Sequence, residues 1–519
     1  MIIAGSIVGS GELIATTKTG AQAGIDLLWL IIVGCLIKVF VQIELGRYTI
    51  SHGEPTLTAL NHIPGPRLRV NWIVWYWALM TATTIGQLGG IVGGVGQALA
   101  LTIPVRGDYL ELVRVPSESE FRRFLQLEQR YGNTSPPEPQ TLQQRRERLG
   151  YEKLRERIEQ GGARAAAILE KLRAGEPLVD ADGVSLVNPP TYDDKLWAAV
   201  IAVFTAGLLV WGRFRLLQNV SLVFVVTFTF ITIGNVCALQ TTDAFRITWD
   251  EFVRGLSFGI PEAVDGKSAL ATALATFGII GVGASELVAY PYWCLEKGYA
   301  AFAGPRSDDP SWAARARGWM RVMHFDAFAS MIVYTIATVA FYLIGVAVLH
   351  RYGMDPEGMR MVSTLAEAYV PVFGEYAKWL FLTGAVAVLY STFLVANAAN
   401  ARMVTDAIEV FGLLDPKNDR SHWISIKVFS ALFPLLCLLI YCTVARPVLL
   451  ILIAGSMQAF MLPILGLSSL YFRYRLTDPR LKPSPLWDVC LIVSVLGLIV
   501  AGGYGLYTRY EELAALFAG

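Results

Sequence analysis

The chain has 519 residues, with 43 Lys and Arg against 42 Asp and Glu and a formal net charge of +1. It therefore lacks the basic field by which a protein collects nucleic acid. Only 16% of its residues are charged and 54% are hydrophobic, a balance that excludes an ordinary soluble protein and points to a chain that crosses a bilayer many times.

Taken in chain order, the apolar windows give eleven predicted spans near 1–23, 26–46, 72–102, 195–212, 217–239, 268–295, 325–349, 375–400, 423–444, 446–472 and 485–507. The N-terminus has no basic n-region of a signal peptide and is read as the first part of span 1. Few residues precede Gly9, so the half-helix before it is expected to start upstream of Met1. The six cysteines are scattered through apolar runs without a CxxC pair, which reads as small buried hydrophobes rather than disulfides or a thiolate metal site. Basic residues crowd one alternate set of short loops, Arg67, Arg69, Lys297, Arg315, Arg473 and Arg475 among them. The positive-inside rule then places the N-terminus in the cytoplasm, and an odd number of spans places the C-terminus outside. A multi-pass protein of a plasma or inner membrane is expected.

Two of these spans carry the same phrase. Residues 8–15 read VGSGELIA and residues 282–289 read VGASELVA, identical at five of eight positions. Each copy sets small residues and one carboxylate, Glu12 or Glu286, inside a segment long enough to cross the membrane. A charge there is costly and faces a cavity or a partner, and small residues let a helix unwind where it lines one. Interrupted segments in corresponding places of two halves point to a transporter's binding site. The copies lie in spans 1 and 6, so each half has five spans and the second enters from the opposite side, which is the arithmetic of an inverted repeat. The expected fold is all-α, a five-plus-five inverted repeat with broken helices 1 and 6. Chance similarity of two Gly/Ala-rich membrane stretches is the competing account.

Residues 105–193 interrupt the pattern and divide the membrane part into 1–104, with spans 1–3, and 194–519, with spans 4–11. The stretches SESEFRRFLQLEQRYGN and TLQQRRERLGYEKLRERIEQGGARAAAILEKLRAGEP are charged, with apolar residues at helical spacing, and prolines separate them. A soluble helical insert on the non-cytoplasmic side is expected. It is either a lid or docking module for an unknown protein partner, or a solvated insertion. Enzyme motifs are absent. Gly266-Lys267-Ser268 has no glycine at P-loop spacing, and no HExxH occurs.

The run GSGELIATTKTGAQAGIDLLW, Gly9 to Trp29, resembles the first-helix signature of the Nramp divalent-metal transporters, DPGN followed by a polar turn, QAGA and LLW. Thr19-Gly20-Ala21 and Leu27-Leu28-Trp29 match that frame. Tyr390-Ser391-Thr392 in span 8 resembles the family's Ser-Thr helix, and Met461-Leu462-Pro463 its Leu-Pro element. The resemblance covers the membrane part but not the insert, and it implies the LeuT-type fold. It also exposes departures. The family's first-motif Asp falls on Gly9 and its Asn on Glu12, while its Met-Pro-His falls on Ser285, Glu286 and Leu287. Its two acidic residues of span 3 fall on Gln87 and Gly90.

Glu12 and Glu286, with Ser10, Ser285 and the backbone around Gly9 and Gly283, make an all-oxygen candidate site. Oxygen ligands suit hard cations such as Mg²⁺, Mn²⁺ or Ca²⁺, and an Fe-like ion is the softer option. Two close carboxylates share a proton when empty, so that cation entry would release H⁺. The alternative role for each Glu is a hydrogen-bond partner of unwound backbone. Pathway or second-ion candidates are Ser391, Thr392, Asn397, Asn400, Gln458, Gln87 and Lys18. Ser391 and Thr392 also fit simple back-bonding, and Gln458 also fits interhelical packing. Lys18 pairs with a carboxylate or repels cations in an outer vestibule. Lys38 and Glu44 are read as pairing or snorkelling near the end of span 2, and Asp326 as a helix-end residue of span 7. The function expected is a secondary transporter moving a divalent cation by alternating access, with H⁺ or Na⁺ as coupling ion. A Na⁺-coupled symporter of a small organic solute such as an amino acid is the alternative, and a transport-dead sensor or scaffold acting through the insert is a third.

Overall fold

Long apolar runs leave backbone N–H and C=O groups without water, and inside a bilayer only helices satisfy them within one segment. The computed structural model describes residues 9–132, 141–180, 182–212, 215–261, 269–374, 376–415 and 418–518, without the side chains of 215–222 and 509–518. Span 1 before Gly9, the stretch 262–268 with Gly266-Lys267-Ser268, and Arg213 and Lys417 lie outside the described residues. Among the described residues, nine helices are long and apolar enough to cross a membrane. They are spans 2 (Leu28–His52), 3 (Trp72–Thr102), 4 (Asp193–Trp211), 6 (Ala269–Glu296), 7 (Pro310–His350), 8 (Tyr376–Val410), 9 (Asp419–Val444), 10 (Pro447–Leu476) and 11 (Pro485–Thr508). Span 5 is Arg215–Leu239. Span 1 is a wide π-type turn, Gly11–Thr16, running into Thr17–Ala23. The only strands among the described residues are two short antiparallel ones, Arg67–Leu68 and Val70–Asn71, so the protein is all-α.

Span 6 is broken. Half-helix 6a, Ala269–Ile279, stops before Gly281, whose φ of +60° is a left-handed conformation open to glycine. Half-helix 6b, Ala284–Glu296, restarts after Gly283. The second copy of the repeated phrase therefore opens half-helix 6b, the first lies in the helical turns of span 1 from Ser10 on, and the two segments run to opposite faces of the membrane. Span 1 ends at the face that carries the insert, and 6b at the other. This is the LeuT-type five-plus-five arrangement plus one further span.

Helices meet closely where glycine removes the side chain, as expected when van der Waals packing replaces the hydrophobic drive. A Cβ at Gly278 of 6a would overlap the Gly455 carbonyl oxygen of span 10, and one at Gly345 of span 7 the Thr17 carbonyl oxygen of span 1. Because the obstructing atom at Gly278 is backbone, Gly278→Ala is expected to cost about 3 kcal/mol. The check is a thermal melt in detergent, in which an unchanged midpoint would show that 6a and span 10 separate freely.

Two expectations are corrected. Span 7 starts at Pro310, well before residue 325, because Arg315, Arg317 and Arg321 continue the helix beyond the apolar window. Asp326 is thus a buried residue of the helix interior, not a helix end. Span 2 continues to His52, which places Lys38 in mid-span. It does not snorkel but is fully buried. Glu44 does pair locally, with Arg47 at 3.0 Å.

The segment between spans 3 and 4 folds as short helices, Asp108–Arg114, Glu118–Tyr131, Leu142–Gln160 and Gly162–Ala174. Capping boxes at Ser117/Glu120 and Thr141/Gln144 start the second and third. Phe121, Phe124, Leu154 and Ile168 form a small core of their own, with a buried Arg157–Glu120 pair at 2.8 Å. Its two ends are pinned together, since Asp193 accepts from the backbone N–H groups of Val105, Arg106 and Gly107. The outer helix faces carry exposed i,i+4 ion pairs such as Glu118–Arg122, which contribute little. The inner face is docked. Arg360, in the loop between spans 7 and 8, donates to Val115 O at 2.7 Å, Leu112 O at 3.0 Å, Val187 O at 2.7 Å and Asn188 Oδ1 at 2.7 Å. Tyr109 Oη donates to Met359 O at 2.5 Å, and Arg146 pairs with Glu251 between spans 5 and 6.

Candidate functional site

The start of the described part of span 1 and the break of span 6 meet at Glu12. Its Oε2 accepts the Gly9 N–H at 2.9 Å and its Oε1 the Gly281 N–H at 3.0 Å. Both donors are backbone groups, and the carboxylate, 1% exposed, satisfies them. A Cβ at Gly11 would sit 3.0 Å from Ile279 O, so the bare backbone there is what lets span 1 approach the break of span 6. Glu12 thus does the structural work of stapling unwound backbone, while each oxygen keeps a second lone pair.

Glu286 is placed differently. It lies in the first turn of 6b, where the helix dipole favours a negative charge, and it is within Coulombic range of Glu12. Its Oε2 is buried and has no hydrogen-bond partner. Ser285 donates its backbone N–H to Gln458 Oε1 at 3.1 Å, and Gln458 Nε2 donates to Gln87 Oε1 at 3.0 Å, tying 6b to spans 10 and 3. Gly283 faces the same oxygens, since a Cβ there would lie 2.5 Å from Glu286 Oε2 and 2.9 Å from Gln458 Oε1.

A cleft of about 40 Å³ runs from Ser285 and Glu286 between 6b and span 8, past Thr392 to Asn400 and Met403. Met403 brings the only sulfur among its lining residues, and it also lines the next pocket along with Glu296 and Arg402, away from the carboxylates. The Arg402–Glu296 ion pair at 2.5 Å closes that end. Beyond it, Asp406, Glu409 and His422 cluster, with His422 on Glu409 at 2.6 Å.

The structure brings together Glu12, Glu286, Gly9, Gly283, Ser285, Gln458, Gln87 and Thr392. Thr392 packs directly on Gly9, while its hydroxyl back-bonds to Val388 O at 3.0 Å. Ser10 is buried beside Gly9. Ser391 also back-bonds to Val388 O, at 2.9 Å. Asn397 is not on the cleft. Its amide donates to Phe393 O at 2.7 Å and faces Cys437 of span 9, because the side of span 8 that lines the cleft carries Asn400 instead. Lys18 pairs with Asp355 at 2.5 Å and lies 3.5 Å from Glu357, under a cavity of about 840 Å³ lined by the insert and the Glu357–Arg360 loop. Burial pushes the Asp355 carboxyl, outside the spans, up to about 6, with Lys18 opposing and Glu357 adding to the rise. The buried arrangement of Asp355 therefore holds a proton more readily than an exposed carboxyl would, so it gains stability as pH falls through about 6.

Sequence reasoning missed Lys38 at this site. Its Nζ donates to the carbonyls of Phe277 and Ile280, the latter at 2.9 Å. A lysine in the middle of an apolar run is the signal, once the length of span 2 is known.

In comparisons with known proteins, the family model "Natural resistance-associated macrophage protein-like", Nramp, matches residues 181–508. A search of curated proteins finds no match. Among solved structures, a manganese transporter of Eremococcus coleocola in complex with an aromatic bis-isothiourea substituted compound is 12% identical, with 99% of this chain and 86% of that one covered and a TM-score of 0.50. A nucleobase-cation-symport-1 family transporter is 14% identical, over 98% of this chain and 91% of that one, with a TM-score of 0.43. The fold agrees with the first of these, the family model covers well over half of the sequence, and the chain belongs to the Nramp family.

Proposed function

We propose that the protein moves a divalent cation across the membrane by alternating access, with hard ions such as Mg²⁺ and Mn²⁺ favoured. Family membership supports metal-ion transport, and the observation that carries the rest is Glu286 Oε2, a buried acceptor with no donor. Such an atom calls for a cation or a proton. Glu286 is the primary ligand in this reading. Glu12, held by two N–H groups, contributes its remaining lone pairs and keeps span 1 in register with the break of span 6. The neighbouring donors are oxygens, which suits hard cations. A proton on Glu286 in the empty site would leave as the metal enters, giving metal–proton exchange. The N-terminus lies in the cytoplasm, so that the cleft beside 6b leads there and the insert lies outside. The volume of the cleft, about 40 Å³, disfavours an organic solute such as an amino acid, and two carboxylates would repel the anionic group of one.

Uptake into proteoliposomes containing a divalent-sensitive dye and a pH probe tests this, with Mg²⁺, Mn²⁺ and Cd²⁺ in parallel. Mg²⁺ and Mn²⁺ entry with a matching internal alkalinisation, as protons leave in exchange, is the expected result. Folded protein that admits none of the three ions would sink the metal reading. Entry without any pH change would remove proton exchange.

A further inference from the structure

Lys38 is a buried charge that the proposed transport does not use. It lies in mid-span 2, its side chain is fully buried, and its ammonium donates to the Phe277 and Ile280 carbonyls. These carbonyls lie in the last turn of half-helix 6a and just past its end, where the Gly281 N–H that would close onto Phe277 O in a continuing helix goes to Glu12 instead. The ammonium also stands 4.8 Å from the centre of the Phe277 ring, a further cation-attracting group. One peptide group is held from both sides, because Lys38 takes the Ile280 C=O while Glu12 takes the Gly281 N–H.

Freed carbonyls at the negative end of a half-helix are groups that hold a small monovalent cation in broken-helix transporters. Here the chain supplies the positive charge itself. We propose that the end of 6a is a monovalent-cation site permanently filled by the Lys38 ammonium, a tethered substitute for a dissolved ion such as Na⁺. The break in span 6 then keeps its geometry at any Na⁺ concentration. Shortening the side chain to a methyl would empty the site, and its carbonyls would accept Na⁺ from solution. This inference does not depend on which substrate Glu286 binds.

The test is the thermal stability of the full-length protein in detergent, in NaCl or in choline chloride at equal ionic strength. Wild type should melt at the same temperature in both. Lys38→Ala should melt several degrees lower in choline and recover in Na⁺, with a saturable dependence on its concentration. Lys38→Met, which fills the space without a charge, should be destabilised and gain nothing from Na⁺. If Lys38→Ala does not fold in choline, Lys38→Gln replaces it, since the amide keeps one donor for the carbonyls and leaves room beside it. A Na⁺-specific gain in either variant supports the tethered cation. No gain in either, including failure of both to fold in Na⁺, overturns it, as does a wild type that itself needs Na⁺. Thermal stability is read without transport, so this result and the uptake result stand or fall separately.

Discussion

Glu286→Gln is expected to abolish divalent-cation uptake while leaving the fold intact. The carboxylate oxygen that would bind the ion has no partner in the protein, and glutamine keeps one acceptor oxygen for the backbone N–H groups at the start of 6b. The amide removes the negative charge that draws a divalent ion, and a loss of at least about 100-fold, roughly 2.7 kcal/mol, is expected. Glu12→Gln should behave differently. Both of its oxygens accept backbone N–H groups, from Gly9 and Gly281, and an amide has only one acceptor oxygen. One N–H then faces an NH₂, a buried mismatch of about 1–3 kcal/mol. Glu12→Gln should therefore lower the melting temperature as well as uptake, and Glu286→Gln uptake alone. Mn²⁺ should raise the melting temperature of wild type by mass action and leave that of Glu286→Gln unchanged. A Glu286→Gln protein that still transports at the wild-type rate would remove this residue from the site.

This difference between two chemically identical residues was not legible in the sequence, although both were. Glu12 and Glu286 stand out because a carboxylate inside an apolar run is costly, and their matching registers identify the breaks before any coordinates are known. Which of them is stapled to backbone depends on where the partner break falls in space. Lys38 was misplaced for a simpler reason. Span 2 continues past the apolar window to His52 through the buried Glu44–Arg47 pair, two charges that a hydropathy reading counts as the end of a helix. Asp326 was displaced in the same way by the arginines before it. Asn397 and Asn400 show a third limit. They are three residues apart on one helix that turns about 100° per residue, and the rotation of span 8 against its neighbours decides which one meets the cleft.

Arg360→Met is expected to undock the insert from the membrane part. The guanidinium satisfies three insert carbonyls and the Asn188 side chain at once, and it is 3% exposed. Removing it strands these acceptors away from water, and each one left unsatisfied costs about 1–3 kcal/mol. Methionine matches the stem of the side chain, so the loss falls on hydrogen bonding rather than packing. The insert has its own small core and its ends are pinned through Asp193, so it should remain folded while its docking weakens. Hydrogen exchange should show this as faster labelling of residues 109–115 and 357–362 with the protection of 118–131 retained. The same loop carries Asp355, the partner of Lys18 on span 1. If the insert is a cover that steadies this end of the pathway, uptake should fall in Arg360→Met although no residue near Glu286 has changed. Faster labelling with wild-type uptake would make the docked insert a passenger. If exchange and uptake both stay at wild-type values, the Arg360 contacts do not hold the insert in place.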